Sequence, residues 1–225
     1  MGKILTDLSF EQWLTYVFDH PVAGSGREWY WADDADWWSA PAAEAIQFMT
    51  HAFEQAGVVF EPYSDAQLNQ GLWFLADNAC SNHMFALLAP DVPWPARQQC
   101  VRSIQKLFEQ CFARRCSSHL SHLDEPEASP LNLVCYMWWD ILPIVGQPDN
   151  PDRRALDQEI LDVMESTLQL GSVPCQESAL HGLGHWQRQY PLQVTKIIDM
   201  FLQSQEHLRE ELRTYAMNAC RGCIL

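Results

Sequence analysis

Helical periodicity runs through almost the whole of this 225-residue chain and leaves little room for a sheet. Apolar residues recur at the three- and four-residue spacings that indicate amphipathic helices. The one β-branched pair with strand character, Val58-Val59, falls in a loop between two helical runs. Ser9 is expected to cap a first helix, and Ser64 with Gln67 predicts a capping box at the start of a later one. The pattern predicts an all-α fold.

Prolines mark the starts of the helical runs. A proline at the first helical position loses no hydrogen bond, because its missing N–H would be unpaired there. Pro41, Pro95, Pro151 and Pro191 each begin a run, and a break separates that run from a second one. The predicted helix pairs are 41–56 with 65–79, 95–116 with 130–145, 152–170 with 174–188, and 191–204 with 207–223.

The second helices of the last two pairs resemble one another. Glu177-Ser178-Ala179-Leu180-His181-Gly182-Leu183-Gly184 resembles the second helix of a HEAT repeat, and Leu212-Arg213-x-x-Ala216-Met217-x-Ala219 is similar. The resemblance implies a short right-handed α-solenoid of about four helical hairpins, in which each hairpin buries its apolar face against the next. Residues 1–40 would then form an N-terminal helix and capping segment, and 41–225 a single helical-repeat domain.

The net charge of the chain indicates which partners it can bind, and the positions of its cysteines indicate the compartment. The chain has 29 acidic and 14 basic residues, a net charge of −15, which argues against a nucleic-acid backbone as partner. No apolar run reaches the length of a membrane span. Several of the eight cysteines sit inside apolar helical patterns, where a free cysteine behaves as a small hydrophobe. We therefore expect a cytoplasmic protein that binds neither nucleic acid nor membrane.

Three polar residues share one stripe of the predicted helix 174–188. Glu177, His181 and His185 follow one another at intervals of four residues. A His-x-x-x-His pair at this spacing can hold zinc. A metalloprotease helix needs its general-base glutamate directly after the first histidine, and Gly182 occupies that place.

Further ligands for such an ion would have to come from other helices, and the candidates are Asp140, His119 and His122. The alternative is a polar stripe without metal, in which Gly182 and Gly184 allow close packing of a neighbouring helix. We expect no metal and no other cofactor, with Glu177, His181 and His185 as the candidates if one is bound.

Two groups of aromatic and polar residues lie off the core-facing spacing of the second helices. Because the second helices of a solenoid line its concave face, these side chains are candidates for contacts with a partner. The first group is Asn69, Trp73 and Asp77, and the second is Tyr136, Trp139 and Asp140.

Residues 29–38 concentrate five aromatic side chains around three aspartates. The aspartates lack the glycine of a calcium loop, and Trp37 stands where the aspartate-rich motif of terpenoid-forming enzymes needs an aspartate. The segment instead predicts a surface for arginine or lysine side chains, with Trp31, Asp33 and Asp34 as contacts. The alternative is a cap whose tryptophans cover the open end of the solenoid.

These features favour a non-enzymatic interaction module that binds a basic protein or peptide through a concave acidic and aromatic face, in an immunity or adaptor role. A strongly acidic surface steers basic partners and loses that advantage in salt. The alternative is an enzyme with its site on the same face, such as a metal-dependent hydrolase that uses Asp140, Glu177, His181 and His185.

Overall fold

The computed structural model describes residues 2–22 and 27–224, and the fold is all-α, as predicted. None of the helices in these two ranges combines the length and the hydropathy that a membrane span requires. A π-helical turn lies at Phe108–Phe112, and 3-10 turns lie at Trp29–Trp31, His83–Leu88 and Ser121–Leu123. The helices are α1 (Phe10–Phe18), α2 (Ala42–Glu54), α3 (Ala56–Val59), α4 (Asp65–Ala76), α5 (Trp94–Leu107), α6 (Ala113–Arg115), α7 (Leu131–Ile141), α8 (Arg154–Leu168), α9 (Val173–Trp186), α10 (Pro191–Ser204) and α11 (Glu210–Ala219).

The predicted helix starts are present as local hydrogen bonds. Ser9 and Ser64 each form a capping box with the glutamine three residues later, which pairs backbone N–H groups that the first turn leaves without partners. Pro191 begins α10, whereas α8 begins at Arg154, after the turn that contains Pro151. Helix α7 ends at Ile141, four residues earlier than predicted, because the backbone becomes extended at Leu142.

A short parallel strand pair joins the N-terminal residues to the acidic and aromatic segment. Strand β1 (Ile4–Leu5) pairs with β2 (Trp37–Trp38). The backbone N–H of Trp37 donates to the carbonyl of Lys3 at 2.8 Å, and the Asp36 carboxylate accepts from the N–H of Lys3 at 2.8 Å. Strands of two residues leave no alternating pattern in a sequence, so the sequence did not indicate this pairing.

The helices pack in two series. Helix α2 packs against α5, α5 against α8 and α8 against α10; in the second series α4 packs against α7, α7 against α9 and α9 against α11. Helix α8 also packs directly on α9. The apolar core is continuous between the series: Trp138 is fully buried and meets the rings of Phe53 and Phe112 edge to face.

Two glycines of α9 lie where neighbouring elements approach closely. A Cβ atom at Gly182 would lie 2.6 Å from the Cβ of Trp139 in α7 and 2.8 Å from the Sδ of Met164 in α8. At Gly184 it would lie 2.8 Å from the side chain of Ile224. Close packing therefore accounts for both glycines, one of the two explanations that the sequence allowed.

Candidate functional site

Two histidines of α9 and an aspartate of α7 form what we call the histidine cluster: Asp140, His181 and His185. The Nε2 atom of His185 lies 3.1 Å from Nε2 of His181 and 3.2 Å from Oδ1 of Asp140. One ligand atom from each residue lies within 4.8 Å of the other two. The structure thus joins Asp140 to the histidine pair, as one of the sequence alternatives required.

His181 is the buried member of the cluster, and its other ring nitrogen has a phenol partner. Nδ1 of His181 is hydrogen-bonded to Oη of Tyr215 at 2.7 Å, and that oxygen lies 3.1 Å from Oη of Tyr136. Burial, with His185 and His122 nearby, lowers the pKa of His181 to about 3, so the ring is neutral at pH 7. Burial also raises the pKa of Tyr136 and Tyr215, which keeps both phenols protonated.

The cluster reaches solvent through its other two members. The side chains of His185 and Asp140 are 37% and 38% exposed. Tyr215, which contacts His181, also lines a cleft of about 390 Å³ together with His122 and Asn218. A dissolved ion or small molecule can therefore approach Asp140 and His185 from outside.

Glu177 lies outside the cluster and has a different set of partners. Its fully buried carboxylate accepts the backbone N–H groups of Ser121 and His122 at 2.9 and 3.0 Å and pairs with Nδ1 of His122 at 2.6 Å. The His122 ring stacks on Tyr215 with centroids 4.2 Å apart. Glu177 therefore holds the 117–129 loop against α9. His119 also lies outside the cluster, with Nδ1 bonded to the Ser117 hydroxyl at 2.8 Å.

Residues 29–32 and 35–38 line what we call the aromatic cavity, a space of about 590 Å³ whose other walls include Tyr16 of α1, Phe74 of α4 and the 79–89 connection. Trp29 meets the ring of Phe74 at 4.6 Å, and Trp38 stacks on His83 at 5.2 Å. Two tryptophans of the cavity are exposed, Trp31 at 44% and Trp37 at 54%. The cavity therefore has packed aromatic walls and an accessible aromatic edge.

Acidic and indole groups are present among the polar groups of the cavity and of the segment that lines it. Asp33 and Asp34 lie exposed in the same segment, and Asp36 lines the cavity. The indole N–H groups of Trp29 and Trp38 are buried and have no acceptor in the part of the chain that the structure describes. The region combines ring faces with carboxylates, and the surface for arginine or lysine side chains stays a prediction.

Several predicted contact residues serve the core or a helix end instead. Trp139 is 3% exposed and stacks on Phe108 with ring planes 5° apart, so it is not a surface residue; Tyr136 is also buried. Helix α7 is buried over a wider stripe than its spacing indicated, because both α4 and α9 pack against it. The Asp77 carboxylate accepts the Trp73 indole N–H at 3.1 Å and the N–H of Ala79 at 2.8 Å. It thereby orders the turn after α4.

Asn69 of α4 is partly buried, and its side-chain oxygen has no hydrogen-bond donor among the described residues. Two participants were not predicted. Tyr215 is the partner of His181, and the 79–89 connection forms a wall of the aromatic cavity. The repeat similarity of α9 and α11 indicates that these helices are neighbours, but it does not indicate which side chain of α11 meets the histidine.

No protein-family model, curated protein or solved structure matches this chain. The function is therefore inferred from the geometry and charge of the two regions.

Proposed function

We propose that this protein is a non-enzymatic interaction module that binds a basic protein or peptide at the aromatic cavity and the acidic residues around it. The observation that carries the proposal is the accessible edge of that cavity, where Trp31 and Trp37 are exposed and Asp36 lines the cavity, with the exposed Asp33 and Asp34 in the same segment. A role in neutralising a basic toxin or in carrying a basic protein would fit this chemistry.

The order of helix packing supports the solenoid that the HEAT resemblance implies. Contacts from α2 to α5 to α8 and from α4 to α7 to α9 to α11 are the ones expected if successive hairpins stack side by side. In this arrangement Asp140 and His185 lie on the neighbouring helices α7 and α9 of the second series. These two residues would extend the contact surface away from the cavity.

Lysine and arginine side chains fit such a surface for two reasons. A cation over a tryptophan face gains about 0.5–1 kcal/mol at an exposed site and more when water is excluded. Carboxylates near the rings add charge-assisted hydrogen bonds, particularly to the planar guanidinium of arginine. The net charge of −15 also increases the rate at which a basic partner arrives.

The test uses a fluorescently labelled arginine-rich peptide as probe and measures its affinity by anisotropy at low and moderate salt. We expect the double substitution Asp33→Asn with Asp34→Asn to weaken binding about 5- to 30-fold, because rim charges contribute about 0.5–1 kcal/mol each. Trp37→Ala is expected to weaken binding further, since it removes an exposed ring face.

The matched controls separate this surface from the general negative charge of the chain. Asp149→Asn with Asp152→Asn removes two exposed acids from the loop before α8, and Leu192→Ala shortens a side chain that is 85% exposed in α10. If these controls weaken binding as much as the cavity variants do, the probe responds to net charge alone and the proposal is wrong.

A further inference from the structure

We propose that Asp140, His181 and His185 form a binding site for one divalent transition-metal ion of the zinc class. In a tetrahedral zinc site with bonds of about 2.0–2.1 Å, neighbouring ligand atoms lie roughly 3.3 Å apart. The two separations that involve His185, 3.1 Å between the two Nε2 atoms and 3.2 Å from His185 Nε2 to Asp140 Oδ1, are close to that value, and all three ligand atoms lie within 4.8 Å of one another. An ion between the three residues would replace the two direct contacts of His185.

The backbone holds the three ligands in this relation. His181 and His185 are one turn apart on α9, so they face the same side of the helix. Asp140 comes from α7, whose distance from α9 is set by the contact between Gly182 and Trp139, the residue before Asp140. The ligand geometry therefore depends on close packing of two rigid helices.

The surroundings of His181 suit a metal ligand. If Nε2 of a histidine binds the ion, Nδ1 carries the proton and needs an acceptor. Oη of Tyr215 lies 2.7 Å from Nδ1, and Oη of Tyr136 lies 3.1 Å beyond it. Tyr215 can accept from His181 and donate to Tyr136, so the hydrogen bonds in this chain are compatible with a metal-bound imidazole.

The ligand set determines the class of ion. Two imidazoles and one carboxylate favour Zn²⁺, Co²⁺, Ni²⁺ or Cu²⁺ over Mg²⁺ and Ca²⁺, which prefer oxygen ligands. Three protein ligands leave at least one coordination position, and the exposure of Asp140 and His185 opens it to solvent. That position would take water or a donor group of a bound molecule, as in hydrolytic zinc sites.

The experiment titrates untagged, chelator-treated full-length protein with Co²⁺ and Zn²⁺. Binding is followed by the visible absorption of Co²⁺ and by calorimetry. We expect one ion per chain and a rise in the thermal midpoint with Zn²⁺ that does not occur with Mg²⁺. Because outer-shell partners alone are worth about 10- to 100-fold in affinity, His185→Gln and Asp140→Asn should each weaken binding at least about 100-fold.

The two ligand variants change partly exposed residues, so a loss of metal binding should not result from unfolding. His185 and Asp140 are partly exposed, whereas His181 is buried and its removal would endanger the core. The controls His207→Gln and Asp199→Asn change exposed residues of the same types, and they should bind metal as the wild type does. Absence of one-to-one binding, or wild-type affinity in both ligand variants, would overturn the proposal and leave the cluster a hydrogen-bond network.

Discussion

The surroundings of a buried histidine determine whether its ring can take up a second proton. His83 is buried in the wall of the aromatic cavity: its Nε2 accepts the indole N–H of Trp13 at 3.0 Å, and its Nδ1 lies 2.9 Å from the Ser81 hydroxyl. Burial lowers the pKa of His83 from 6.5 to about 3, since a charged ring here would lose its hydration. A proton on Nε2 would also face the Trp13 donor.

The low pKa of His83 predicts that acid destabilises the fold. Between pH 3 and 6.5 the unfolded chain binds the proton and the folded chain does not, so the free energy of unfolding falls as the pH falls below about 6.5. We expect His83 to contribute a loss of about 2 kcal/mol between pH 7 and pH 5. Urea unfolding of the wild type and His83→Gln at both pH values measures this difference.

In His83→Gln the loss of stability in acid should be smaller by that amount. His207→Gln changes an exposed histidine and serves as the control, which should keep the wild-type dependence on pH. Equal pH dependence of all three proteins would show that His83 is protonated in the folded state and that its pKa is not lowered.

For single residues, the sequence predicts which side chains share a helix face better than it predicts which side chains they contact. The spacing of His181 and His185 places them on one helix face, and Asp140 was among the residues expected to join them. Glu177 has the same spacing, yet it accepts hydrogen bonds from the 121–122 backbone. The path of that loop determines which groups the Glu177 carboxylate contacts. A loop path depends on contacts between residues far apart in sequence, so the helix spacing does not predict it.

The packing of helix α9 shows how one missing side chain sets the distance between elements. Gly182 lies so close to Trp139 that an added methyl group would overlap an atom attached directly to the α7 backbone. Rotation of the tryptophan side chain cannot relieve that overlap, so α7 and α9 would have to separate. The distance between these helices also fixes the distance from Asp140 to the histidines.

We expect Gly182→Ala to destabilise the protein by about 1–2 kcal/mol, because overpacking costs about 1–3 kcal/mol and the better helix propensity of alanine returns up to about 1 kcal/mol. The thermal midpoint should fall by several degrees. Gly171→Ala is the control, since no atom of the described residues lies within 4 Å of a Cβ atom there and its effect should stay within about 0.5 kcal/mol. Equal midpoints for the two variants would contradict the close contact.

The positions of the helices follow from local signals, and the sequence predicts most of them. Capping residues and prolines act within one turn, so the starts of α1, α4 and α10 agree with prediction. The π-helical turn at Phe108–Phe112 and the 3-10 turn at His83–Leu88 were not predicted. Both positions are set by packing: Phe108 and Phe112 contact the tryptophans of α7, and His83 contacts Trp13.

Across the whole molecule, the cysteines are distributed as core residues. Cys100, Cys111, Cys135 and Cys175 are buried, and Cys223 is exposed. Burial raises the pKa of Cys100 and Cys111 to about 12, which leaves almost no thiolate at neutral pH. The interpretation of these cysteines as small hydrophobes agrees with their positions.

This distribution predicts the reaction of the folded protein with a thiol reagent. At pH 8 one cysteine should react rapidly, and Cys223→Ser should remove that phase, because accessibility and thiolate character control the rate. The four buried thiols should react only after denaturant is added. The other three thiols, those of Cys80, Cys116 and Cys220, are partly buried and should react more slowly. Rapid modification of more than these three and Cys223 in the native protein would contradict the described core.

The anchoring of the 117–129 loop by Glu177 has a consequence for biosynthesis. His122 and Glu177 are 55 residues apart in the chain, so the loop leaves the ribosome well before the carboxylate that holds it. Until α9 has been made, the N–H groups of Ser121 and His122 lack the carboxylate that accepts them in the finished fold. A nascent chain that stops before Glu177 would therefore expose this loop to proteases, whereas the finished chain protects it.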